Sequence, residues 1–469
     1  CGCAVGPDFR PPAVPDAPSY TRDAPPAHTA QAAGAAQTFT AADRALPTWW
    51  TQFRSDALEH LVDTALRNSP TLVEARAKLV EAQENYRAQA GASEWPAVDL
   101  KLSDTRQKVD LNAFGISGIP NPGPFTLYNA SVSVSYAFDI FGGNRRTLEG
   151  LRAQVDYQAF ELDAARLTVA GNVVATAIRR ASLQQQLALT QQLADAQARQ
   201  LAIEEARFAA GGVAALDVRS QRTLLAQTRA SLPPLATQYA QADHQLAILL
   251  GVAPAQADAD DLSLDTLHLP DTVPLTLPST LARERPDIRA AEALLHQASA
   301  NVGVATANLY PQFSLSASIG SERTRVADLV DGLNIWNIGL NLAQPIVHGG
   351  ELRAKKRAAQ AAYDAAFADY RQTVLQALQQ VADSLGALEN DARTLQARDE
   401  AAQQAHASLE IAQAQYAAGG VSQFGLLESQ RQALQTALDR TRGQADRLAD
   451  TAALFQSLGS GLQASSPAR

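Results

Sequence analysis

With 469 residues, 46% of them hydrophobic and 19% charged, the chain can build a sizeable core and lacks a disordered composition. A net charge of −9, without an Arg/Lys stripe interleaved with aromatics, excludes nucleic acid as a partner. No apolar run approaches the roughly 20 residues of a spanning helix, so any membrane crossing must be a closed β-barrel.

Met is absent, and the only cysteines are Cys1 and Cys3. Nothing distant can pair with them, which excludes a disulfide framework. The nearest His is His28, so no Cys-x-Cys metal site is expected. Read as a processed product beginning at Cys1, the chain is expected to carry a covalent N-terminal lipid there. Cys3, preceded by the small Gly2, is the alternative acceptor. Residues 1–55 then form a lipid-anchored extended segment, with no other cofactor expected.

The remainder repeats itself. Ala206-Arg207-Phe208-Ala209-Ala210-Gly211-Gly212-Val213 recurs 208 positions on as Ala414-Gln415-Tyr416-Ala417-Ala418-Gly419-Gly420-Val421. Leu246, Leu250 and Gly251 recur at the same offset as Leu454, Leu458 and Gly459. Pro70-Thr71-Leu72 through Trp95-Pro96 matches Pro286-Asp287-Ile288 through Tyr310-Pro311 with a one-residue slip. The expected organisation is a first repeat at 56–251, a linker at 252–278, a second repeat at 279–462 and a tail at 463–469.

Each copy reads as helix, two strands, very long helix, Gly-Gly turn and shorter helix. The strands are predicted near 97–107, 128–139, 312–321 and 335–345 from their period of two. Val98, Leu100 and Leu102 alternate with Asp99, Lys101 and Ser103; Val132, Val134 and Tyr136 alternate with Ser131, Ser133 and Ser135. Phe313, Leu315 and Ala317 likewise oppose Ser314, Ser316 and Ser318, and Ile338 and Leu340 oppose Asn337 and Asn341. A soluble sandwich and a lipid-facing barrel both give this pattern. Geometry separates them, because a small barrel needs about eight strands and an open edge cannot face lipid. Several copies must pool strands, and three would supply twelve. The segments Lys108–Phe125 and Glu322–Gly332 read as loops at the outer rim.

The long helices are predicted over about 145–210 and 352–418. Phe367, Val374, Val381, Leu388, Leu395, Ala402, Leu409 and Tyr416 fall seven apart, the spacing of side-by-side coiled-coil packing. The Gly-Gly pairs then stop both helices and return the chain as hairpins, with tips near 208–216 and 416–424.

Gly6-Pro7-Asp8-Phe9, Trp49-Trp50-x-x-Phe53, Phe141-Gly142-Gly143, Arg285-Pro286-Asp287-Ile288 and Tyr310-Pro311, in this order, resemble the TolC-like outer-membrane factors. The N-terminal cysteine and Gly-Pro-Asp-Phe place the resemblance with the lipoprotein branch typified by OprM, over nearly the whole chain. It implies a mixed α and β membrane protein: a homotrimer with a 12-stranded outer-membrane β-barrel and a long periplasmic coiled-coil tunnel. It also implies a periplasmic adaptor (a membrane fusion protein) and an inner-membrane pump of the resistance-nodulation-division type as partners. The function implied is a passive exit duct for small molecules in the outer membrane.

By the same resemblance, the tips at Phe208, Gly211, Gly212, Tyr416, Gly419 and Gly420 contact the adaptor; simple helix termination is the plainer account. Phe424, Glu428 and Arg431 share one helix face by their 4 and 3 spacing. The resemblance makes them the periplasmic gate, with Asp217 a fourth member; a core Phe beside a surface ion pair is the alternative. No nucleophile elbow, Walker A or His-Glu-x-x-His motif occurs, so no enzyme is expected. A channel for type I protein secretion would share this architecture. A periplasmic adaptor lipoprotein would carry one hairpin, not two.

Overall fold

The computed structural model describes residues 4–13, 17–22, 27–32, 36–43, 45–116, 118–256 and 262–459. Cys1 and Cys3 lie outside them. In chain order the elements are β1 (Thr38–Ala41), α1 (Asp56–Asn68), α2 (Pro70–Glu94), β2 (Ala97–Gln107), β3 (Phe125–Phe138), α3 (Gly143–Ala209) and α4 (Ala215–Leu249). There follow β4 (Thr272–Leu275), α5 (Pro278–Glu284), α6 (Pro286–Ala307), β5 (Gln312–Arg323), β6 (Ile335–Ala343), α7 (Glu351–Ala417) and α8 (Gln423–Ser457). Strand β3 begins at Phe125, three residues earlier than its alternation suggests, because Phe125 to Leu127 pair with Gln107 to Thr105 of β2.

Two compact units each draw on both sequence copies. One holds residues 1–12, 78–158 and 291–370; the other holds 13–77, 159–290 and 371–469.

The first unit contains an antiparallel sheet of order β2-β3-β5-β6. Its register lines like with like across all four strands. Val98, Val134, Ala317 and Ile338 form one row, and Leu100, Val132, Ile319 and Trp336 the next. The opposite face carries the row Asp99, Ser133, Ser318 and Asn337. Among the described residues nothing covers the apolar face: Leu100 is 70% exposed and Trp336 75%. Both hairpin loops leave the same end of the sheet, since Gln107 pairs with Phe125 and Gly320 with Ile335.

The motifs of the N-terminal arm meet at the other end of this unit. Val5 N–H donates to Phe141 O at 3.0 Å, and the Phe141 ring stacks on Tyr310 at 4.8 Å. Gly6 has φ +98°, and a Cβ there would lie 2.5 Å from Gly303 Cα, so only Gly fits. Arg146 binds Asp8 at 2.6 Å and Glu149 at 2.7 Å, Glu149 reaches His296 at 2.9 Å, and Phe9 stacks on His296 at 4.3 Å.

Over 159–209 and 371–417, which belong to the second unit, the long helices pack as hairpins. Helices α3 and α7 have 67 residues each, about 100 Å at 1.5 Å per residue. The α7 seam is Tyr370, Val374, Ala377, Val381, Leu385, Leu388, Ala392 and Leu395, all buried at alternating steps of three and four. Towards the turn only small residues, Ala405 and Ala412, stay buried, and Leu409 is half-exposed. Helix α4 continues through Pro233 and Pro234, whose exposed side lets solvent take the freed carbonyls. Trp49, Trp50, Phe53 and Phe455 make a buried aromatic cluster, with Trp49 stacked on Phe455 at 5.9 Å. Arg285 of the Arg-Pro-Asp motif is buried; it pairs with Asp287 at 2.8 Å and donates to Ser457 O at 2.7 Å. The parallel pair β1–β4 ties the N-terminal segment to the stretch between the repeats.

One polar cluster interrupts the α7–α8 seam. Burial first, then the neighbouring Asp450 and Asp446 carboxylates, push Asp391 up to about 7, with Arg398 opposing. Arg398 pairs with Asp446 at 3.6 Å. Burial lowers Arg447, with Asp391 opposing, and Arg447 donates to Ala32 O at 2.6 Å. The folded pKa of Asp391 thus exceeds the unfolded value of about 3.9. Its favourable contribution is complete below that value and is lost as pH rises through about 7. Asp391→Asn is therefore expected to melt higher than the parent at pH 8 and level with it at pH 4. Equal melting shifts at both pH values would disprove the assignment.

Candidate functional site at the hairpin tips

The two turns are built alike. Gly211 and Gly419 take φ of +76° and +77°, the left-handed conformation that ends a helix without a Cβ clash. Gly212 N–H returns to Arg207 O at 2.8 Å, and Gly420 N–H to Gln415 O at 2.7 Å. Phe208 is 47% exposed on the last turn of α3. Its counterpart Tyr416 is half-buried under the Arg207 guanidinium, 5.5 Å from the ring centroid. Burial, then the Glu204 carboxylate, push the Tyr416 hydroxyl up to about 12, against the pull of Arg207.

The returning helices start with different caps. Asp217 accepts from Ala214 N–H at 3.1 Å, closing the first turn of α4. Ser422 Oγ accepts from Gly425 N–H at 3.3 Å at the start of α8. Phe424 is 77% exposed. One helical turn on, Arg431 grips Glu428 through two bonds, Nη2–Oε1 at 2.6 Å and Nε–Oε2 at 3.1 Å. The Arg431 bond holds Glu428 below the usual carboxylate range, and Glu428 raises Arg431 in return. Phe424, Glu428 and Arg431 thus form one exposed stripe, while Asp217 is engaged as a cap.

Between the turns lies a buried polar layer that the sequence does not mark. Glu204, Gln197 and Gln221 are fully buried, and Gln423 and Gln430 nearly so. Gln221 is the hub: its Nε2 donates to Gln197 O at 3.2 Å, and its Oε1 accepts from Gln423 Nε2 at 3.1 Å. This joins α4 of the first hairpin to α8 of the second. Glu204 Oε2 and both amide atoms of Gln197 make no hydrogen bond. In a Gln-rich chain no local pattern separates a buried Gln from a surface one. Among the described residues, no group of three or more His, Cys, Asp and Glu is placed to hold a metal. No described helix is long and apolar enough to cross a membrane.

Residues 61–252 and 277–460 match the family model of outer membrane efflux proteins. The chain belongs to the outer membrane efflux protein family. It is 32% identical to the pyoverdine export outer membrane protein OpmQ of Pseudomonas putida, over 90% of this chain and 89% of that one. It is 31% identical to the outer membrane protein OprJ of Pseudomonas aeruginosa, over 95% and 92%. The solved outer-membrane channel OprN superposes with a TM-score of 0.85 at 27% identity, covering 98% of this chain and 99% of that one. As a family member, the chain has the fold of the trimeric TolC-like channels, a β-barrel continued by a helical tunnel. It is an outer-membrane efflux duct, passive and not an enzyme, and works with adaptor and pump partners.

Replacing Gln221 with Ala removes both bonds of the hub and strands the Gln423 amide. The expected local cost is about 1–3 kcal/mol. Amide hydrogen exchange should quicken around both turns and stay unchanged at Val381–Leu395. Unaltered protection at the turns would show that the layer holds nothing together.

Proposed function

We propose that the tips form the periplasmic gate of a small-molecule exit duct and the dock for its adaptor. The observation that carries this is the stripe on α8: an exposed Phe424 followed by the exposed Glu428–Arg431 pair. A large apolar side chain beside a symmetry axis meets its own copies and shares the burial with them. Three copies brought together by the barrel set three Phe424 side chains around one axis, a constriction that excludes ions by dewetting. The Glu428–Arg431 ring behind it filters charge. An exposed ion pair is worth little to stability, which leaves its position free to serve conduction.

Phe208, Gly211 and Gly212 of the first turn and Tyr416, Gly419 and Gly420 of the second supply the adaptor contact, and the pump stands in the inner membrane. No Walker A motif occurs in the sequence, so the energy for opening comes from the partner. The duct's outer section lies within Ser- and Asn-rich walls, with Asp99 and Lys101 the charges nearest its middle, and such walls discriminate poorly between small solutes. Acylation at Cys1, or at Cys3, adds a lipid anchor. OpmQ is a pyoverdine export protein, which supports a small-molecule cargo over a secreted protein.

Two measurements test this. Val132→Arg, on the apolar face, should cost about 2–4 kcal/mol and deplete detergent-resistant trimer, whereas Ser133→Arg should not. Equal loss from both would refute the assignment of faces. Replacing Phe424 and Glu428 with Ala should raise the resting current of trimers in planar bilayers several-fold. A closed-state current identical to the parent's would remove the gate from α8.

A further inference from the structure

Leu216 and Phe424 are the two most exposed large apolar side chains on any described α-helix, at 73% and 77%. They are also the same position in the two sequence copies, 208 residues apart. Each is the second residue of its returning helix, since α4 starts at Ala215 and α8 at Gln423. Both follow a Gly-Gly turn of the same geometry. Two residues further on, Val218 and Leu426 are buried at 6% and 2%, so the two helices present equivalent faces inward and outward. The Gln221–Gln423 bond ties the seventh residue of α4 to the first of α8.

The charged part of the stripe is not duplicated. Glu428 and Arg431 correspond to Ser220 and Thr223, and Thr223 Oγ1 turns back to Arg219 O at 3.0 Å. The two copies therefore share the exposed apolar residue and differ in the ion pair. Divergence erased or added charge in one copy and left an otherwise unfavourable exposed side chain in both.

We infer that Leu216 is a second gate residue, so that each chain supplies two apolar side chains to the constriction. This rests on the gate reading of Phe424. A trimer then carries six apolar side chains near its tips, three Leu and three Phe, with a charged ring of three beyond the Phe. The apolar barrier draws on both sequence copies while the ion filter draws on one.

The test uses full-length trimers in planar bilayers, comparing Leu216→Ala, Phe424→Ala and the double variant with the parent. Leu216→Ala should raise the resting current several-fold, and the double variant should exceed either single change. Ile248→Ala, an exposed apolar residue at the far end of α4, should leave the current unchanged. Leu216→Cys gives a second readout: a charged methanethiosulfonate reagent added at the tip side should alter its current and leave the parent's unaltered. If Phe424→Ala conducts more while Leu216→Ala matches the parent and Leu216→Cys ignores the reagent, Leu216 is no gate residue and the Phe424 reading survives. If neither Ala variant conducts more, both readings fall.

Discussion

A backbone amide or carbonyl stranded in hydrocarbon costs several kcal/mol, and that cost governs everything this chain does. Four strands leave two edges, β2 on one side and β6 on the other, each with a single partner inside the chain. The edges and the bare apolar face satisfy one another only when copies join. Oligomerisation is therefore a condition of entering the membrane, imposed before any question of transport arises. Once three sheets share one cylinder, every other feature of the chain is repeated about the same axis, and a residue exposed on one copy becomes a member of a ring.

Duplication doubles that arithmetic. Gly211 and Gly419 end their helices with the same left-handed turn, and Val218 and Leu426 seat the returning helices in the same way. The copies part where their tasks differ. The first turn is capped by the carboxylate of Asp217 and the second by the hydroxyl of Ser422. The first tip exposes Phe208, whereas the second sinks Tyr416 beneath Arg207 and beside Glu204. A structure of two like hairpins thus carries a sixfold frame with threefold chemistry on it.

Much of this is legible in the residues. A period of two gives the strands and their faces, a period of seven gives the α7 seam, and Gly-Gly pairs give the turns. Register does not follow, because a slip of two residues keeps every face, and the pairing of β2, β3, β5 and β6 comes from the structure. What escapes is anything set by contacts distant in sequence. Phe367 keeps the heptad spacing yet is 37% exposed, since the seam's geometry runs out towards the helix start. The Asp391 cluster and the Gln221 hub arise where helices far apart in the chain meet, and periodicity along one helix says nothing about the other. The resemblance adds Asp217 to the gate set; its carboxylate also caps the first turn of α4, a local role that its spacing from Ala214 permits.

The polar layer at the tips then acquires a physical reason. The interior of the second unit has apolar stretches, such as Val173, Val174, Ala177 and Ile178 on α3 and Leu385 and Leu388 on α7, beside buried polar side chains such as Arg180, Gln186, Thr190 and Arg447. Opening such a seam would expose that apolar surface to water at about 25 cal/mol per Å². Near the tips Gln197, Glu204, Gln221, Gln423 and Gln430 are buried beside Val218 and Leu426, and several of their hydrogen-bonding atoms have no partner. Water can satisfy those atoms when the hairpins part, so separating them there costs less than parting an apolar seam of equal area.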